Sequence, residues 1–90
     1  MKVDVSRLLE SLAQAMKAAR EKRDFHIAGA YACYETLKRR VPGDDQYMFE
    51  RDDRKALQEA QDAVAAHEEL TALERTHRMV YKLLAEQMQS

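Results

Sequence analysis

The sequence has little of what tight turns require. Of its 90 residues only two are Gly and one is Pro. Because β-sandwiches and barrels need many tight turns, for which Gly and Pro are the usual residues, this scarcity excludes an all-β fold. Good helix formers such as Ala, Leu, Glu, Lys and Arg are abundant instead. The composition therefore predicts an all-α protein.

Cysteine and long apolar runs are equally scarce. Cys33 is the only cysteine, so no disulfide can form within the chain, which suits a reducing compartment. Asp4, Ser6 and Arg7 interrupt the stretch in which a signal peptide would need its apolar run. No segment approaches the roughly 18 uninterrupted apolar residues of a membrane span. We expect a cytoplasmic protein that does not associate with membranes.

Neither sign of charge dominates the chain. The chain has fifteen Lys and Arg residues and sixteen Asp and Glu residues, which gives a net charge of -1. Such a balance produces no overall field that attracts nucleic acid or anionic lipid. With 46% hydrophobic residues the chain is apolar enough to fold, and its length fits one small domain spanning residues 1–90.

One strong turn signal, Pro42-Gly43-Asp44-Asp45, divides the chain into two halves. Proline fixes its own backbone and disfavours helix at the residue before it, while Gly permits a positive φ. Together with the apolar spacing, this signal predicts a turn at 42–45 and helices at about 5–22, 24–41 and 53–88.

The first half admits two interpretations. Its apolar residues recur at helical spacing from Val5 onward, behind Asp4 or Ser6 as a candidate N-cap. The polar run 20–24 then favours a break near 22–24, with Asp24 capping a second helix. Alternatively, one long helix spans residues 5–40 and exposes the polar run. In either case Gly29 permits the close approach of another helix.

The second half carries a clearer pattern, which continues to the C-terminus. Part of it alternates steps of four and three residues, as in a coiled coil: Ala66, Leu70, Leu73, His77, Val80 and Leu84. A capping-box match at 71–74 falls inside this pattern, and we interpret it as a chance match within one helix. A chain of this length buries only about 60 to 65% of its unfolded surface, so we expect a small helical bundle that forms a homodimer.

Residues with catalytic or metal-binding potential are few. Glu74 and His77 fit the Glu-x-x-His spacing of helical di-iron sites, but such a site needs a second copy of the motif. His67 and His77 lie on the apolar stripe, where structural histidines are common. Cys33 sits in an Ala-rich helix, where a free Cys usually behaves as a small apolar residue. We expect no catalytic, metal or cofactor site and a protein that is not an enzyme.

Aromatic and Met side chains are the strongest functional signal, because amphipathic aromatic residues concentrate at interfaces. The expected partner-binding residues are Tyr47, Met48, Phe49, Tyr31 and Tyr81. They predict a protein-interaction module: a small adaptor, chaperone or inhibitor of a larger bacterial or phage protein. The alternative is a dimeric nucleic-acid-associated regulator whose basic face comprises Arg75, Arg78, Lys82, Lys38, Arg39 and Arg40.

Overall fold

A computed structural model of the chain describes residues 4–39 and 46–89, and these form two α-helices. Helix α1 spans Val5–Lys38 and helix α2 spans Gln46–Gln89. The described residues contain no strand, which confirms the all-α prediction. The predicted turn at 42–45 and the side chains of residues 46–49 lie outside the described part of the chain.

The two helices pack side by side and run in opposite directions, as an antiparallel hairpin. Only the seven residues 39–45 connect α1 to α2, so two long helices that pack on each other must run in opposite directions. The middle of α1 meets the first half of α2, where His26 contacts Glu59 and Ile27 shares a groove with Val64. Because α1 and α2 are the only packed elements among the described residues, the hairpin is long and thin, with extents of 72 × 20 × 13 Å.

Helix α1 begins at an Asp4 cap, the first of the two predicted alternatives. The Arg7 backbone N–H donates to Asp4 Oδ1 at 3.1 Å, and the Leu8 N–H donates to the Asp4 carbonyl at 3.1 Å. These bonds satisfy donors that the first helical turn otherwise leaves without partners. At the other end the Arg39 N–H donates to the carbonyl oxygens of Glu35 and Thr36, both at 3.3 Å.

The favoured break near 22–24 is wrong, because α1 continues through it as one helix. Most of the polar run points outward and is exposed, so it does not interrupt packing against α2. Arg23 alone turns inward and is half-buried, and its Nε donates to Asp24 Oδ1 at 3.0 Å. Asp24 therefore pairs with its neighbour in mid-helix and caps no second helix.

The predicted start of the C-terminal helix at about 53 is also wrong, since α2 begins at Gln46. The charged segment before residue 53 is helical because its charges suit a helix surface: Glu50 and Arg54 lie one turn apart with opposite charge, 4.0 Å between Oε2 and Nη2. The helix continues through residues 71–74. This confirms the interpretation that the capping-box match there is a chance match within one helix. Thr71 Oγ1 donates to the His67 carbonyl at 3.0 Å, as a mid-helix Thr does.

Each helix turns one continuous line of residues toward the other, and all of them are buried or half-buried. We call this line the seam. In α1 it comprises Val5, Leu9, Leu12, Met16, Ala19, Arg23, His26, Ala30, Cys33 and Leu37; in α2 it comprises Asp52, Ala56, Glu59, Ala63, Ala66, Leu70, Leu73, His77, Val80 and Leu84. Steps of four and three alternate throughout both helices, which is the coiled-coil pattern. The seam predicted from Ala66 to Leu84 is thus confirmed and extends back to Asp52.

The centre of the seam is built from small side chains. Ala19, Ala66 and Leu70 are each 2% exposed and Ala63 is 7% exposed, and these are the buried apolar residues of the described chain. Alanine at facing positions lets two helix backbones approach closely, because no side chain holds them apart. The hairpin is therefore held together by a narrow contact.

Enlarging a central seam residue should separate the helices. We expect Ala66→Leu to lower the free energy of unfolding by about 1–3 kcal/mol, because the added atoms have no space between α1 and α2. The exposed neighbour Ala65 provides the control, since Ala65→Leu adds the same atoms on the outside of α2. Urea titration followed by circular dichroism measures both changes. Equal effects of the two substitutions would contradict this packing.

Candidate functional site

Five large apolar side chains remain exposed on one side of the hairpin, beside the part of the seam nearest residues 39–46. They are Ile27, Tyr31, Tyr34, Leu57 and Val64, and each is between 51% and 64% exposed. We call this surface the aromatic face. Monomeric proteins rarely leave so many large apolar residues together in water, so this face is the candidate site.

Helix geometry places these residues on one side. In α1, Tyr31 and Tyr34 follow Ile27 by four and seven residues, which are the spacings that share a helix face. In α2, Leu57 and Val64 are seven residues apart and so point the same way. Ile27 and Val64 line a common groove, which brings the α1 and α2 parts of the face together.

The groove between the helices has a volume of about 260 Å³. Ile27 and Arg23 form its α1 wall, while Ala63, Val64 and His67 form its α2 wall. Its accessible lining is apolar, including the parts that Arg23 and His67 contribute. A benzene molecule fits an apolar cavity of about 150 Å³, so one aromatic ring of a partner fits this groove.

The exposure of the aromatic face follows from the width of the apolar stripe. Ile27 and Tyr34 belong to the apolar pattern of α1, and Leu57 and Val64 to that of α2, and such a pattern by itself predicts a packed face. A single neighbouring helix covers only the narrow seam, and these residues lie one position outside it. Tyr31 is a predicted partner-binding residue that lies on this face.

Of the other predicted partner-binding residues, only Tyr81 has a described side chain, and it does not join Tyr31 there. Tyr81 is 61% exposed but lies near the opposite end of the hairpin, about 35 Å away along the helix axis at 1.5 Å per residue. Tyr47, Met48 and Phe49 belong to the first turn of α2, and their side chains lie outside the described part of the structure.

A polar pair that sequence reasoning missed lies inside the seam beside the aromatic face. His26 Nδ1 is 2.7 Å from Glu59 Oε2, and both side chains are largely buried, at 16% and 22% exposed. The Phe25 ring stands edge-on to the His26 imidazole with 5.3 Å between ring centroids. Extending the alternation of four and three from Val5 to Ala19 would have reached Arg23 and His26, so the signal was present in the sequence.

The carboxylate of Glu59 lies directly over Gly29. A Cβ atom at position 29 would come within 2.8 Å of Glu59 Oε2 and 3.0 Å of its Cδ. The sequence predicted the close approach of another helix at Gly29, and the group that the structure places there is a side chain of α2. Gly29 thus leaves the space in which Glu59 reaches His26.

The remaining histidines and the cysteine do not gather into a site. His67 is exposed at the rim of the groove, and His77 is half-buried in the seam far from it. Cys33 is a free, half-buried seam residue. Across residues 4–39 and 46–89, no three His, Cys, Asp or Glu side chains are arranged to hold a metal ion.

The predicted basic face is split between the two ends of the hairpin. Arg75, Arg78 and Lys82 are exposed along the outside of α2, while Lys38 and Arg39 lie where α1 ends. The antiparallel arrangement separates these clusters by about 35–45 Å at 1.5 Å per residue. Arg40 lies outside the described residues. The two clusters therefore do not form one continuous surface within a single chain.

Comparisons of the chain with protein-family models, with curated proteins and with solved structures returned no match. Neither described helix contains a segment long and apolar enough to cross a membrane.

The contact between Gly29 and Glu59 predicts a specific coupling between these two positions. Replacing Gly by Ala inside a helix usually stabilises it by up to about 1 kcal/mol. In the natural chain we expect Gly29→Ala to give less than this, because the new methyl displaces Glu59 from His26. In the Glu59→Ala background the full gain should return. A double-mutant cycle of urea unfolding measures the difference, and additive effects would contradict the contact.

Proposed function

We propose that the chain is a non-enzymatic protein-interaction module that binds a helical partner through the aromatic face. The observation that carries this proposal is the grouping of Ile27, Tyr31, Tyr34, Leu57 and Val64, each more than half exposed, on one side of the hairpin, where Ile27 and Val64 line an apolar groove. Burying such a surface against a partner is favourable by roughly 25 cal/mol per Å² of apolar area.

The residue types support binding to a protein. Tyrosine is enriched at protein interfaces because its ring buries a large area while its hydroxyl keeps a hydrogen-bond partner. Tyr31 and Tyr34 lie almost one turn apart on α1, and both are well exposed. Ile27, Tyr31 and Tyr34 recur along α1 at steps of four and three residues, which suits a partner helix whose apolar side chains have the same spacing.

The adaptor, chaperone and inhibitor roles predicted from the sequence share this binding step, and none of them requires chemistry. The His26–Glu59 pair supports the same interpretation, because the two groups contact each other inside the seam. A general base must instead reach the proton of a bound substrate. The pair is therefore better explained as part of the helix packing.

The nucleic-acid alternative has less support. Its strongest part is the exposed row Arg75, Arg78 and Lys82, which lies on the outside of α2 and away from the aromatic face. Glu74 is adjacent to this row, and the net charge of the chain is -1. Without a continuous basic surface, few phosphates would be contacted at once, and phosphate contacts supply most of non-specific affinity.

Site-specific photo-cross-linking tests the proposed function. A photoreactive phenylalanine analogue at Tyr31 or Tyr34 should form protein adducts when the chain is expressed in its own host and irradiated. Phe25 is the control: it is 70% exposed on the same helix, six residues before Tyr31, and it points about half a helical turn around from Tyr34. We expect discrete adducts at the two tyrosine positions and at most weak ones at Phe25.

The adducts must then depend on the aromatic face. Leu57→Glu, which places a charge on that face without altering the photoreactive position, should remove them. Absence of adducts at both tyrosine positions, or equal adducts at Phe25, would contradict the proposed function.

A further inference from the structure

We propose that the occupant of the aromatic face is a second copy of this chain, packed through the same face so that Tyr34 of each copy enters the groove of the other. This inference rests on the proposed function, since it names the partner of the same surface. The arrangement is a four-helix bundle at the aromatic end of two hairpins, related by a two-fold axis.

The surface area of the single hairpin favours this arrangement. The chain exposes 7371 Å² of accessible surface. A compact monomer of its mass, 10.4 kDa, exposes about 5,400 Å². The difference, roughly 2,000 Å², is within what one subunit contributes to the interfaces of obligate homodimers, which bury about 2,000–5,000 Å² in total. Compared with a compact monomer of the same mass, an isolated hairpin therefore exposes about as much extra surface as one subunit buries when an obligate homodimer forms.

The positions of the groove and of Tyr34 are complementary under a two-fold axis. The α1 wall of the groove, Arg23 and Ile27, precedes Tyr34 by about two and a half turns, or roughly 13 Å. We place the two-fold axis perpendicular to α1, midway between this wall and Tyr34 and close to Tyr31. Rotation about this axis packs α1 against α1 of the second copy, and the two helices run in opposite directions. Tyr34 of each copy then lies over the groove of the other, and both contacts form at once.

The groove also suits a tyrosine chemically. Its volume of about 260 Å³ accepts a phenol ring, and the walls that Ile27, Ala63 and Val64 supply are apolar. Arg23 and His67 also line the groove, through apolar atoms. A tyrosine ring would bury apolar area against these walls, while its hydroxyl keeps a hydrogen bond with water or a polar neighbour.

Charge gives no reason to prefer a different partner. The five residues of the aromatic face are uncharged, so the face itself attracts neither an acidic nor a basic partner. The chain has a net charge of only -1, and two copies therefore repel each other weakly. A neutral, apolar, self-complementary surface is the kind that pairs with itself.

Sedimentation equilibrium and size exclusion with light scattering test the inference on the full chain, between about 5 and 200 μM. We expect the mass of a dimer for the natural chain. Tyr34→Ala should weaken dimerisation at least tenfold, because it removes the inserted ring. Phe25→Ala is the matched control and should leave dimerisation unchanged. Alanine is the best helix former, so neither variant should unfold α1.

Cross-linking tests the position of the two-fold axis independently. In a Cys33→Ala background, Tyr31→Cys places a thiol close to the axis, and a short bis-maleimide should join two copies efficiently. Phe25→Cys in the same background places a thiol on the other side of α1 and should give little covalent dimer.

Several results would overturn the inference. These are a monomer at every concentration, an oligomer larger than a dimer, equal weakening by Tyr34→Ala and Phe25→Ala, or cross-linking at position 25 that matches position 31. Photo-cross-linking in the host separates such a failure from failure of the proposed function. Adducts at Tyr31 and Tyr34 with a different protein would retain the interaction module and reject the second copy as its partner.

Discussion

Close packing of two helices along a line of small residues is the contact on which the rest of the structure depends. Ala19 in α1 and Ala63, Ala66 and Leu70 in α2 are the most buried apolar residues, and three of the four are alanines. Small side chains allow the helices to approach closely, but they remove little apolar area from water. The hairpin thus has a well-defined arrangement and a small core. Many of its large apolar residues remain exposed, because the described residues form no third element that covers them.

The seam differs between its two ends, and the aromatic face lies beside the more polar one. Toward Val5 and Leu84 the seam residues are mostly Leu, Val and Met, whereas toward Leu37 and Asp52 they include Arg23, His26 and Glu59. Polar groups at coiled-coil seam positions specify register at a cost in stability. The contact of Glu59 with His26 over Gly29 has this character, since sliding one helix would separate all three. A partner on the aromatic face would therefore cover the end of the hairpin that the seam stabilises least.

Sequence reasoning succeeded where one helix decides the outcome. Spacing and composition predicted the all-α class, Asp4 as one of two candidate caps, and the seam from Ala66 to Leu84, because these depend on neighbours within a few turns. It failed for features that depend on contacts between the two helices. The polar run 20–24 resembles a helix boundary by itself, but α1 continues through it because only Arg23 faces α2. The partnership of His26 with Glu59 links residues 33 positions apart, and local periodicity contains no information about such a pair.

The same distinction applies to the candidate site. The sequence by itself determined that the chain is helical, nearly neutral in charge and supplied with more apolar residues than one helix face holds. It also singled out Tyr31 among the residues of the aromatic face. Only the tertiary structure decided that Tyr31 lies with Tyr34, Leu57 and Val64 and far from Tyr81, because the direction and register of the hairpin set which residues share a surface. The physical reason is that an apolar stripe predicts burial without specifying what provides it, and a single antiparallel neighbour covers only the seam.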